Sequence, residues 1–159
     1  MTELLDALYR GDQERVLALL EARPNLNIFE AAALGKTERL RELVDRDPSL
    51  VNAFGDDGFH PLGLACFFGH VEAARLLLES GAEVDALSRN KQIQTAAIHA
   101  AAASEGKDES VRYELVKLVL EHGADPNLPQ GSGFRAIDAA RQNGDKRVEE
   151  LLLLRGASD

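Results

Sequence analysis

Apolar positions in this chain come in bursts at helical spacing, separated by turn residues at regular intervals. Between Gly58 and Asp85, Ala73, Ala74, Leu76, Leu77 and Leu78 form one stripe. Leu118-Val119-Leu120 and Leu151 to Leu154 repeat it downstream, and each burst is followed by Gly-Ala: Gly81-Ala82, Gly123-Ala124, Gly156-Ala157. A shorter, alanine-rich segment precedes each stripe (Ala31-Ala32-Ala33, Ala65, Ala100 to Ala103) and ends near a turn glycine (Gly11, Gly35, Gly69, Gly106, Gly144). The pattern predicts helix pairs recurring with a period of about 33 residues, the signature of a stacked solenoid rather than a closed globule. One apolar face per pair can be hidden only by a neighbouring pair. Small side chains on the first helices let neighbours approach closely.

Lining the chain up on itself places Gly58-Phe59-His60-Pro61-Leu62-Gly63-Leu64-Ala65 against Thr95 to Ala101 and against Gly133-Phe134-Arg135-Ala136-Ile137-Asp138-Ala139-Ala140. Five units follow, at 2–27, 28–52, 53–85, 86–127 and 128–159, in one continuous domain spanning 1–159. The unit resembles the ankyrin repeat, with its T-P-L-H helix start, G-H turn and G-A-D-x-N ending. The resemblance implies an all-α solenoid of stacked helix-turn-helix units with short β-hairpin fingers. The third unit is nearest to that pattern, yet carries His60 where threonine is usual and Gly63 where histidine is usual. The fourth keeps His99 and lacks the proline. The fifth has Arg135, Ala136 and Asp138 at the threonine, proline and histidine places. Asp6 and Glu149 replace apolar residues in the outer units, as expected of faces turned to water. Glu30 occupies the place of Asp6 but inside the stack, so either the first unit packs loosely or Arg15 pairs with Glu30.

Composition narrows the functions. With 159 residues, 45% of them hydrophobic, the chain can bury a real core, while a net charge of −9 disfavours nucleic acid and anionic membranes as partners. There is no secretory leader and no apolar run near the length of a membrane span, so a cytoplasmic setting is the default. The single cysteine, Cys66, lies among small residues and reads as a packed thiol. No zinc-ligand spacing, nucleophile elbow, phosphate loop or dinucleotide fingerprint occurs, so no cofactor, metal or catalytic residue is expected. The resemblance gives His99 the role of ordering its turn by hydrogen bonds. His70 and His122 sit at helix ends, and His60 lies near a finger base.

The resemblance also places partner contacts at the finger tips, at the residue after each finger glycine and just before the turn glycines. Those places hold Tyr9, Arg10, Leu34, Asp56, Asp57, Phe59, Phe67, Phe68, Ser104, Phe134, Gln142 and Asn143. The finger from Ala86 to Gln94 is about three residues longer than its counterparts and adds Arg89 and Lys91, since insertions in solenoids gather on binding faces. Five of the eight aromatics fall in this set, which suits a protein-binding hot spot. Phe59 and Phe68 are expected to be exposed, whereas Phe67 either faces the groove or packs between first helices. The leading reading is a non-catalytic interaction module (scaffold, adaptor or inhibitor) that holds another protein on its concave face. A small-molecule or enzymatic site in the groove is one alternative. Self-assembly through the leucine-rich last helix is another: a monomer is expected, with homodimerisation open through an outward Leu154.

Overall fold

The computed structural model describes residues 1–23, 25–104 and 107–159. Ten α-helices run through them: α1 (Glu3–Arg10), α2 (Gln13–Ala22), α3 (Ile28–Leu34), α4 (Thr37–Arg46), α5 (Pro61–Phe67), α6 (Val71–Glu79), α7 (Ala97–Ala102), α8 (Glu109–Glu121), α9 (Ala136–Asn143) and α10 (Lys146–Leu154). A 3-10 turn, Pro48–Asn52, leads into the first finger. The odd-numbered helices pack successively in one layer, and α4, α6, α8 and α10 stack in a second. The chain is thus an all-helical solenoid. Between the layers lies a continuous core. Ala31, Ala32, Ala65, Ala101 and Ala140 are fully buried where first helices meet, with Leu40, Leu77, Leu115 and Leu152 behind them. Alanine suits the first layer because only a small side chain lets backbones approach so closely. α1 meets α3 far more sparsely than α3 meets α5.

Neighbouring units are also tied by hydrogen bonds to carbonyls at the ends of first helices, which have no partner inside their own helix. His70 Nε2 bonds to Ala33 O (2.9 Å), Ser104 Oγ to Phe67 O (3.0 Å) and Asn143 Nδ2 to Ala102 O (3.2 Å). Gly35 is required beside this ladder. Its φ is +68°, and a Cβ there would lie 2.5 Å from the His70 ring.

Each finger is a hairpin turn closed by a backbone bond, with no strand assigned among the described residues: Gly55 N to Phe59 O, Ser88 N to Thr95 O, Gln130 N to Phe134 O. Fingers lie side by side and bond to one another, Arg89 N to Gly58 O at 2.7 Å and Gly131 N to Gln94 O at 2.9 Å. α8 starts at Glu109, where the Asp108 side chain caps the helix at Val111 N. Gly106, read from sequence as a turn glycine, lies outside the described residues.

Glu30 does not pair with Arg15. It is 2% exposed and pairs with Arg23 at 3.0 Å, while Arg15 pairs with Glu3. Its other oxygen accepts from Asn27 N, and the Asn27 side chain accepts from Glu30 N, a reciprocal capping box. Counting back from the turn glycine matched Glu30 to Asp6. Counting forward from the helix cap matches it to His99 and Asp138, which likewise accept from the backbone at Ala96 N and Arg135 N. The cap decides its chemistry. Glu149, at the far end, is not open to water either, since Arg141 covers it at 3.2 Å.

Candidate binding groove between the fingers and the first helices

The third unit starts its first helix in an unusual way. His60 is the N-cap of α5, and its Nδ1 accepts from Gly63 N at 3.0 Å, as a threonine hydroxyl would. Its Nε2 reaches Ala86 O in the next unit, 2.9 Å away. In the fourth unit His99 stands three places further on: Nε2 again bridges units, to Leu128 O, while Nδ1 accepts from the N-cap amide of Ala96 rather than from the third amide of the helix. The two imidazoles share the inter-unit bond and make opposite halves of the cap. Gly63 makes room, because a Cβ there would stand 3.1 Å from the His60 ring. Burial lowers the pKa of both histidines, outweighing the backbone bonds to Ala86 and Leu128. Both therefore stay neutral, with the Nε2 proton on the carbonyl and the Nδ1 lone pair on the amide.

These caps set the floor of a groove of about 570 Å³ between the fingers and the first helices. Leu64 and Phe67 of α5 and Ala100 of α7 supply its apolar base. Tyr9 and Phe59 form one wall, and Asn90, Gln92 and Ile93 of the long finger form the other. The finger insertion therefore folds over the groove instead of projecting from it. Asn90 fixes that posture: its side chain donates to Asp57 O at 2.7 Å and caps the amides of Gln92 and Ile93. Tyr9 reaches two units along the stack. Its ring centroid lies 5.3 Å from Phe68, 6.0 Å from Phe67 and 6.5 Å from Phe59, while Phe67 and Phe68 meet edge to face at 5.0 Å. Burial, and then the charge of Asp57, push the Tyr9 phenol well above its ordinary value, so it remains protonated.

The structure brings together Tyr9, Asp57, Phe59 and Phe67 in the groove. Phe59 and Phe68, expected to be exposed, are half-buried and packed against the core, as is Phe67, because Tyr9 at 37% exposure leans over them. Ser104 is only 1% exposed, since its hydroxyl is committed to Phe67 O; it is a tie between units, not a contact residue. Leu34 and Phe134 pack against the core outside the groove, and Arg10 is held on its own helix by Asp6. Arg89 stacks on Phe54, 4.0 Å from the ring centroid, and borders a neighbouring crevice with Asp56 and Lys91. Gln142 and Asn143 are exposed on α9, away from the groove. Sequence reasoning named Arg89 and Lys91 of the long finger but missed its Asn90, Gln92 and Ile93 as lining residues, for which the length of the finger was the available signal.

Burial pushes the Cys66 thiol up to about 12. No cluster of three potential metal ligands occurs among the described residues, and no helix in them is long and apolar enough to cross a membrane. Leu154 is 83% exposed on the last helix, with Leu151 and Leu152 buried.

A family model for ankyrin repeats (3 copies) matches residues 4–88 and 28–130. The chain is 31% identical over 157 residues to an ankyrin repeat and SAM domain-containing protein 6 of Mus musculus, an alignment covering 94% of this chain and 17% of that protein. It is 31% identical over 120 residues to a putative ankyrin repeat protein, YahD, of Escherichia coli (strain K12), covering 74% of this chain and 57% of that one. Against the ankyrin repeat, SAM and basic leucine zipper domain-containing protein 1 of Dasypus novemcinctus the identity is 30% over 150 residues, with 94% and 30% covered. The chain thus spans less than two thirds of the length of each of these relatives. The matched model, the relatives and the stacked helix pairs agree that the chain belongs to the ankyrin repeat family.

Proposed function

We propose that this chain is a non-catalytic module that holds a partner protein on its concave face, with the groove between Tyr9, Phe67 and the long finger as its centre. Ankyrin repeats are generally protein–protein interaction modules. The observation that carries the reading is the groove itself, apolar-floored, aromatic-walled and framed by a finger insertion. Buried aromatic anchors in such hollows supply most of the energy of protein interfaces. An enzymatic reading is disfavoured by the histidines, since His60 and His99 spend both ring nitrogens on backbone partners. Neither is free to move a proton.

Truncating Phe59, Phe67 or Phe68 would disturb the core they pack against, so the test fills the groove instead. Ala103 is exposed at its edge, and Ala103→Arg obstructs the space without removing a contact. Partner proteins captured from the native cell by the wild-type chain should be lost by Ala103→Arg and kept by Leu154→Asp. Capture unaffected by Ala103→Arg would sink the groove. Loss with Leu154→Asp alone would move the interface to the last helix.

A further inference from the structure

Within the groove one side chain is left incomplete. Among the described residues, Oδ2 of Asp57 is the one buried side-chain oxygen without a hydrogen-bond partner. Its sister Oδ1 accepts from Phe59 N at 3.1 Å, which pins the carboxylate against the aromatic wall. Among the described residues Asp57 is the only carboxylate bordering the groove, and no lysine or arginine side chain borders it; Met1, which carries the α-amino group, does. Arg89 stacks on Phe54 and, with Lys91, lines the neighbouring crevice that Asp57 also borders, without pairing with it. A carboxylate oxygen held in an apolar setting without a donor is unfavourable as it stands, and a cation brought to it gains more than it would in water. The net charge of −9 draws cationic partners towards the chain at longer range.

We propose that the groove takes an extended peptide segment in which an aromatic or large aliphatic side chain fills the apolar well and an adjacent lysine or arginine pairs with Asp57. This rests on the groove being the partner site. The well suits such an anchor: ring edges and faces of Tyr9, Phe59 and Phe67 border it, and its volume of about 570 Å³ admits one large side chain and its flanks. Specificity then comes from charge. An acidic neighbour would meet Asp57 in the same water-poor space and be rejected. Oδ2 is covered in this structure, so the donor reaches it only if the Asp57 carboxylate turns towards the groove that it borders beside Tyr9.

The probe is a set of fluorescent, acetylated and amidated heptapeptides with a fixed central phenylalanine, flanked by lysine, glutamate or glutamine, titrated against the full chain by anisotropy. Lysine-flanked peptides should bind at least about tenfold tighter than glutamate-flanked ones, with glutamine between, and the difference should shrink at high salt. Asp57→Asn should bring the lysine and glutamate series within about threefold of each other while the glutamine series is unchanged. Asparagine keeps the oxygen that caps Phe59 N, so the finger is preserved, which a thermal melt checks. Equal or reversed preference, a preference that survives Asp57→Asn, or no binding by any of the peptides overturns the proposal. Peptides that bind without regard to charge and are lost in Ala103→Arg would leave the groove standing and remove only the basic class. Binding that survives Ala103→Arg would remove the groove as well.

Discussion

A single side chain can hold two neighbouring units together, and His60 does so by replacing two residues of the usual pattern. The threonine cap and the inter-unit histidine are merged into one imidazole, and Gly63 is the vacated place. The two positions are therefore coupled. His60→Thr keeps a capping oxygen but loses the bond to Ala86 O, and should cost about 1 kcal/mol. Gly63→His alone should destabilise, because its Cβ meets the His60 ring. The pair His60→Thr with Gly63→His rebuilds the usual arrangement and should recover most of that loss, with a coupling energy above about 1 kcal/mol in a double-mutant cycle by urea denaturation. Strict additivity of the two single changes would mean that the imidazole is not the shared tie.

At the scale of the finger, backbone contact controls the groove. Gly58 sits at φ +86°, and a Cβ there would lie 2.4 Å from Asn90 N and 2.5 Å from Arg89 C. Both neighbours are main chain and cannot step aside. Gly58→Ala should therefore break the bond from Arg89 N to Gly58 O, swing the long finger outward and cost about 2 kcal/mol. Hydrogen exchange at the Arg89 amide should speed up, and any ligand using the Asn90–Ile93 wall should weaken in parallel. This contact also marks the limit of sequence reading. Helix pairs, their glycines and the position of the aromatics are legible because stripes and turns are local signals. The inward fold of the long finger is not, since it is set by Gly58 meeting a backbone about thirty residues away. Ser104 was misplaced for the same reason: its partner, Phe67 O, belongs to another unit. Tyr9 carried the right signal for the groove, but its reach across two units, which buries the phenylalanines, has no trace in its neighbours along the chain.

For the molecule as a whole, stability is a chain of nearest-neighbour interfaces, and three of the bonds that join units run through histidine. His70 links the third unit back to the second, His60 links it forward to the fourth, and His99 links the fourth to the fifth. All three have pKa values lowered from 6.5 by burial. Lowered pKa means that the folded chain resists a proton that the unfolded chain accepts. Their contribution is therefore complete above about pH 6.5 and is lost as pH falls from there through the depressed folded values. Protonating Nδ1 of His60 or His99 also removes the acceptor that caps its own helix, so charge and bond are lost together. Three protons set an upper limit of about 4 kcal/mol per pH unit on the slope, with half-buried His70 giving less than a full share. Urea denaturation at pH 7.5 and pH 5.5 should show a marked loss of midpoint at the lower pH, above the range where carboxylates titrate. His60→Thr alone should lessen this loss, whereas His60→Thr with Gly63→His, which returns the imidazole to the place His99 uses, should preserve it. A stability that is flat between those two pH values would show that the histidines do not hold the stack.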